Sequence, residues 1–246
     1  MLPLMVACML PLVVFHSVVL ARVMALVTLL AVSLCSGLAL HQVVQHDSWR
    51  YALGGWAPPW GIEYVMDPLS AGMATLIAVM AVLVALYAGP FLRHWSVTRV
   101  GLFYSVFLLL TAGLLGMVLT GDMFNLYVFL EISSLAAYAL LASGGIRSVV
   151  ATFRYLIVGT IAGTFYLLGV GYLYALTGTL NMADLAARLP TVRDGLQQLE
   201  VEKLRDEEVR DGIVDRRAEE NDPVVEQAGE QVEGPVAPGG NETILL

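Results

Sequence analysis

The sequence predicts an all-α membrane protein. It reads as a bundle of about six transmembrane helices with a small extramembrane hairpin and an acidic, partly disordered C-terminal tail. Three observations predict this. Charged residues make up 14% and hydrophobic residues 58% of the 246, against roughly 25% charged in soluble domains. Apolar runs long enough to cross a bilayer recur along the first three quarters of the chain. The charge is divided unevenly: residues 1–190 hold seven arginines against six acids, net +1, and residues 191–246 hold six bases against fifteen acids, net −9. The domain boundary is therefore expected near Pro190, with a transmembrane domain over 1–190 and an acidic helical or disordered tail over 191–246.

A helix needs about 20 apolar residues at 1.5 Å each to cross the hydrocarbon layer. Six stretches qualify: 2–20, 23–44, 69–87, 100–119, 124–141 and 155–176. Between them lie Arg22, Gly89-Pro90, Gly121-Asp122, Gly144-Gly145 and, at the end, Gly178, all turn or charge signals. Uninterrupted apolar runs favour helices over barrel strands, which alternate. The first run lacks a basic leading segment and a small-residue cleavage site, so it reads as a span and not a signal peptide.

Orientation follows from the arginines. The first, third and fifth connections carry Arg22, Arg93, Arg99, Arg147 and Arg154. The second and fourth carry Arg50 against Asp47, Glu63, Asp67 and Asp122. The positive-inside rule puts the arginine-bearing connections in the cytoplasm. The N-terminus, and with six spans the tail, are then expected outside a cell inner membrane crossed many times. The second connection, 41–66, reads as two short strands around a Gly/Pro turn. Its Trp49, Trp56 and Trp60 suit the headgroup belt, and the hairpin reads as an interfacial plug.

Glu131 is the costly residue. It lies in the middle of the fifth span, where insertion of a carboxyl costs about 2.5–3.5 kcal/mol. A group kept at that depth must face protein or water, and it is suited to loading and releasing a proton. The bland alternative is helix glue, a carboxyl bonded to a neighbouring hydroxyl. Tyr127 and Ser134 share its helical face at i−4 and i+3. Thr160 and Thr164 of the sixth span would extend a polar path. Other residues have simpler readings. His16 reads as a satisfied core histidine. Asp122 reads as a helix cap, and Arg154 as a snorkelling arginine at the start of the sixth span. Gly159-Thr-Ile-Ala-Gly163 and the small residues Ala74, Ala78, Ala81 and Ala85 read as close helix packing.

The chemistry that composition excludes is broad. Acids outnumber bases, so nucleic acid is not an expected partner. Cys8 and Cys35 sit in apolar runs and suggest neither a disulfide framework nor a zinc site. No phosphate loop, dinucleotide glycine motif, metal-ligand cluster or Ser/His/Asp arrangement is present. No cofactor, no metal and no catalytic residue is therefore expected. An enzyme assignment would hold only as a non-catalytic subunit of an oxidoreductase complex.

Longer strings carry a resemblance. Gly121-Asp-Met-Phe-Asn-Leu-Tyr-Val-Phe-Leu-Glu131, followed by Ala137-Tyr-Ala-Leu-Leu141, resembles the fifth span of the antiporter-like membrane subunits. These are shared by Mrp-type multisubunit cation/proton antiporters and respiratory complex I. The segment Leu53-Gly-Gly-Trp-Ala-Pro-Pro-Trp-Gly-Ile62, with Asp67-Pro-Leu-Ser70, is similar to the stretch before that family's third span. Leu176-Thr-Gly-Thr-Leu-Asn-Met-Ala-Asp-Leu185 looks like the turn after its sixth. The wording is closest to the D-type component of the Mrp antiporters. The resemblance implies an N-out helical bundle and a proton-exchanging role for Glu131. It also implies other membrane subunits as partners, and protons with a monovalent cation as the transported species. A complex I-like or hydrogenase subunit and a non-conducting structural subunit are the alternatives.

Members of that family continue to about fourteen spans in two inverted halves, and the span after the sixth, broken in mid-membrane, carries a lysine paired with the fifth-span glutamate. Here the membrane pattern ends after six stretches, and the one lysine of the chain is Lys203. The sequence thus reads as the N-terminal half of such a subunit followed by a tail of different character. From 192 to about 217 the tail reads as a charged, weakly amphipathic helix. From 221 to 240 it reads as disordered. A docking helix and out-of-frame sequence are the other readings of the tail. Asn241-Glu-Thr243 fits a glycosylation pattern.

Overall fold

The computed structural model describes residues 2–14, 17–58 and 60–220. His16, the segment 221–240 and Asn241-Glu-Thr243 lie outside the described residues. The chain divides into two compact units, Met1–Leu189 and Pro190–Leu246. The first contains α1 (Leu2–Val14), α2 (Val18–His46), β1 (Trp49–Ala52), β2 (Glu63–Met66), α3 (Pro68–Phe91), α4 (Val97–Leu119), α5 (Met123–Ala142) and α6 (Ile146–Thr177). Helix α7 (Met182–Glu220) begins in the first unit and supplies the second.

Five of the described helices, α2 to α6, are long and apolar enough to cross a membrane. The first expected span is corrected. The stretch 2–20 is not one helix, because Ser17 adopts extended backbone, caps α2 and accepts from the Leu20 N–H at 3.4 Å. Helix α1 is left with 13 residues, or about 20 Å of rise, short of the hydrocarbon thickness. Arg22 consequently lies inside α2, not in a connection. Arg154 likewise lies two turns inside α6, which starts at Ile146.

Small residues let the helices approach. Ala71, Ala74, Ala78, Ala81, Ala85 and Ala88 of α3 form a buried stripe, and α2 packs on α3 with Ala21, Ala25 and Leu29 buried. In lipid, association rests on such van der Waals contact and not on the hydrophobic effect. Tyr104 and Leu108 of α4 complete this core, together with Ala7 and Leu10 of α1. Ser105 of α4 donates to the Ala7 carbonyl of α1. Helices α4 and α5 pack where α4 has glycines: a Cβ on Gly113 would lie 2.8 Å from the Ser133 Cβ, and one on Gly116 would collide with the Phe129 ring.

Strands β1 and β2 pair antiparallel, with Trp49 opposite Met66 and Ala52 opposite Glu63. The hairpin is fastened to two later loops. The Gly121 N–H donates to the Glu63 carbonyl at 2.8 Å, and the Met182 N–H donates to the Gly121 carbonyl at 2.9 Å. Tyr64 bridges to Thr120, and Asp122 to Asn181. The second connection, the fourth connection and the α6–α7 turn thus form one backbone-bonded cap at one end of the bundle.

Candidate functional site

Asp122 starts α5 and accepts from the Asn125 N–H at 2.7 Å, so its capping role accounts for it. Glu131 lies just over two turns further on, half-buried between α5 and α6. The facing residue of α6 is Gly163, which is buried. A Cβ there would lie 2.5 Å from Glu131 Oε1 and 3.5 Å from Tyr127 Cε2. The second glycine of the Gly159–Gly163 pair therefore makes the space in which the Glu131 carboxyl sits, with Tyr127 beside it. Gly159 does the same for the Tyr138 hydroxyl, and Tyr138 meets Tyr155 edge-on at 5.2 Å. Tyr127 stacks on Tyr166 of α6 at 6.1 Å, and the Tyr166 hydroxyl donates to the Met123 carbonyl at 3.1 Å. The α5–α6 seam is thus glycine against carboxyl and tyrosine against tyrosine.

The polar path expected around Glu131 is only partly assembled. Tyr127 is brought to the carboxyl. Ser134 donates to the Glu131 backbone carbonyl at 3.2 Å, not to its side chain. Thr160 donates to Leu156 O and Thr164 to Thr160 O, both within α6, and both threonines are exposed. Their hydroxyls donate within their own helix.

A second polar group lies under the cap, and the sequence alone does not single it out. Glu63 is buried at 6% exposure. Its Oε2 accepts from Asn181 Nδ2 at 3.0 Å and pairs with Arg50 at 3.4 Å. Asn125 Nδ2 donates to Thr120 Oγ1 at 2.9 Å, and burial raises the Tyr64 phenol above its ordinary value, with Asn125 acting in the opposite direction. Glu63 and Asn181 read as ordinary loop polars, and the only signal is a carboxyl inside the apolar strand Glu63-Tyr-Val-Met66. These contacts have the character of a structural clasp. Among the described residues no group of three His, Cys, Asp or Glu converges to hold a metal.

The fold and seam define a polytopic α-helical membrane protein with a carboxyl held between two spans. A family model described as "NADH:quinone oxidoreductase/Mrp antiporter, TM" matches residues 120–202, which include that carboxyl. The likeness to the antiporter-like subunits stands over that stretch. A protein named as the N subunit of an NADH-quinone oxidoreductase, from Desulforudis audaxviator, is 56% identical over 194 residues, 78% of this chain and 39% of the relative. A protein named as the D subunit of an Na(+)/H(+) antiporter, from Bacillus subtilis, is 35% identical over 155 residues, 63% of this chain and 31% of the relative. Among solved structures, a chain of the archaeal membrane-bound sulfane sulfur reductase matches with a TM-score of 0.72 at 34% identity, over 78% of this chain and 39% of that one. The chain therefore spans about two fifths or less of the relatives it matches. Homologues named for the N and D subunits both appear, so the two branches are not separated by name.

Proposed function

We propose that this chain is a membrane subunit of a multisubunit monovalent cation/proton antiporter and that Glu131 takes up and releases the translocated proton. The observation that carries this is the Glu131 carboxyl set against Gly163 with Tyr127 beside it, inside the matched domain. An ionisable group kept within a span marks an ion path by default. The relative named as the D subunit of an Na(+)/H(+) antiporter supports the cation/proton reading. Other membrane subunits would be its partners, since the relatives are themselves named as subunits. We further place the arginine-bearing connections in the cytoplasm and the hairpin cap outside.

A second reading has specific support. The 56% identity to a protein named as the N subunit of a quinone oxidoreductase favours a proton-translocating subunit of a complex I-like enzyme. One experiment separates these and the non-conducting alternative. Wild-type and Glu131→Gln chains are expressed with their native complex in inverted membrane vesicles, and a pH-sensitive dye reports acidification. Antiport predicts a cation-induced pH change that Glu131→Gln abolishes with the complex assembled. The complex I-like reading predicts that NADH-driven acidification is lost instead. Unchanged transport in both assays would overturn a conducting role and leave a structural one.

A further inference from the structure

At the end of the bundle opposite the cap, α4, α5 and the first turns of α6 enclose a groove of about 540 Å³. One wall is Trp95 and Phe103, fixed edge to face at 6.3 Å, with Phe107 stacked on Phe103 at 6.0 Å. The other wall is Ala139 of α5 with Ile146 and Val149 of α6. The small residue at 139 leaves the groove open. Ile146 is 88% and Val149 49% exposed, so the opening faces outward from the helices.

The mouth is charged. Arg99 lines it, and among the described residues Arg99 makes no ion pair. No acid occurs in 92–99 or 143–154, the connections that meet here, whereas Arg93, Arg147 and Arg154 do. Neither Ser96, which precedes α4, nor Gly145, which precedes α6, gives its helix a side-chain cap. The field at the mouth is therefore positive from the arginine and from two helix starts.

We propose that this groove is a binding site for an anionic phospholipid. The headgroup phosphate would pair with Arg99 at the membrane surface, and one acyl chain would lie between Phe103 and Val149. Charge complementarity selects this occupant. A span-lining groove is apolar whatever fills it, but an arginine at its mouth that makes no ion pair among the described residues, between connections that contain no acid, calls for an anion. Trp95 marks the headgroup level of the same groove.

Tryptophan fluorescence tests this, because Trp49, Trp56 and Trp60 lie on the hairpin and Trp95 is the fourth and last tryptophan of the chain. The full chain carrying Trp49→Phe, Trp56→Phe and Trp60→Phe is reconstituted in phosphatidylcholine vesicles. Brominated phosphatidylglycerol or brominated phosphatidylcholine is then added. Phosphatidylglycerol should quench Trp95 at about fivefold lower mole fraction, the size of one arginine's attraction to an anionic lipid. Arg99→Gln should erase that preference. Equal quenching by both lipids, a preference that survives Arg99→Gln, or no quenching because protein fills the groove would each overturn the proposal. Should the hairpin variant fail to fold, native mass spectrometry of the otherwise unaltered chain decides. Phosphatidylglycerol adducts should persist on the wild type and fall on Arg99→Gln, and equal adducts on both would overturn the site.

Discussion

Asn181 Nδ2 donates to Glu63 Oε2 at 3.0 Å across 118 positions of sequence. The bond ties the hairpin between α2 and α3 to the turn after α6. Both groups are buried, so neither has water as a substitute partner. Asn181→Ala leaves the carboxylate with Arg50 alone at 3.4 Å. We expect a loss of about 1–3 kcal/mol, from the missing buried hydrogen bond together with the bonds that Asn181 Oδ1 accepts from the Ala183 and Asp184 N–H groups at the start of α7. Thermal unfolding in detergent measures it, and an unchanged midpoint would show the bond to be incidental.

Gly163 predicts a functional defect without unfolding. A methyl group at 163 would lie 2.5 Å from Glu131 Oε1, so Gly163→Ala must shift the carboxyl. On the proposed role of Glu131, proton transport should fall severalfold while the protein remains folded by circular dichroism. Gly169→Ala on the same helix meets nothing within 4 Å and should leave transport unchanged. Equal effects from both would point to helix propensity and not to the carboxyl.

The α4–α5 contact predicts a packing defect. Gly116→Ala would drive a Cβ into the Phe129 ring. Overpacking of this kind costs about 1–3 kcal/mol, and the double change Gly116→Ala with Phe129→Leu should recover part of it. Melting temperatures of the two variants in one detergent test this coupling.

Acid should loosen the start of α3. Asp67 caps that helix, and Ser70 returns the bond to the Asp67 N–H, closing a capping box. Hydrogen bonds from the Ser70 backbone and hydroxyl hold the Asp67 carboxyl below its ordinary value of 3.8. The folded value is depressed, so the cap's contribution is present above the unfolded value and lost as pH falls through the folded one. Stability should therefore decline below about pH 4, and Asp67→Ala should flatten that decline while costing about 1 kcal/mol at neutral pH. Unfolding midpoints from pH 7 down to 3 test both parts.

Much of this is legible in the residues. The apolar runs from 23 to 176 form helices because hydropathy at that length admits few other structures in lipid. Glu131 stands out because a lone acid in an apolar run is expensive. The first span misleads because hydropathy ignores backbone conformation, and Ser17 interrupts the helix without interrupting the apolar run. The intrahelical bonds of the α6 threonines are not written in the sequence, because a hydroxyl in a helix can turn to its own i−4 carbonyl or to a neighbour. The Glu63–Asn181 bond is invisible because two polar residues in separate loops declare no register to each other. Gly163 reads as packing only; that it faces Glu131 depends on the rotation of α6 against α5, which composition does not set.

The cap also imposes an order in time. Its hairpin leaves the ribosome long before the strand-like segments at 120–122 and 179–182 that it must bond. Until residues 120 and 121 have been synthesised the hairpin has only its own strand pairing to hold it, a marginal arrangement in water, and its side-chain bond to Asn181 waits for the turn after α6. Closure of this end is thus a late event in biogenesis, set by the emergence of α6 and not by the insertion of α3.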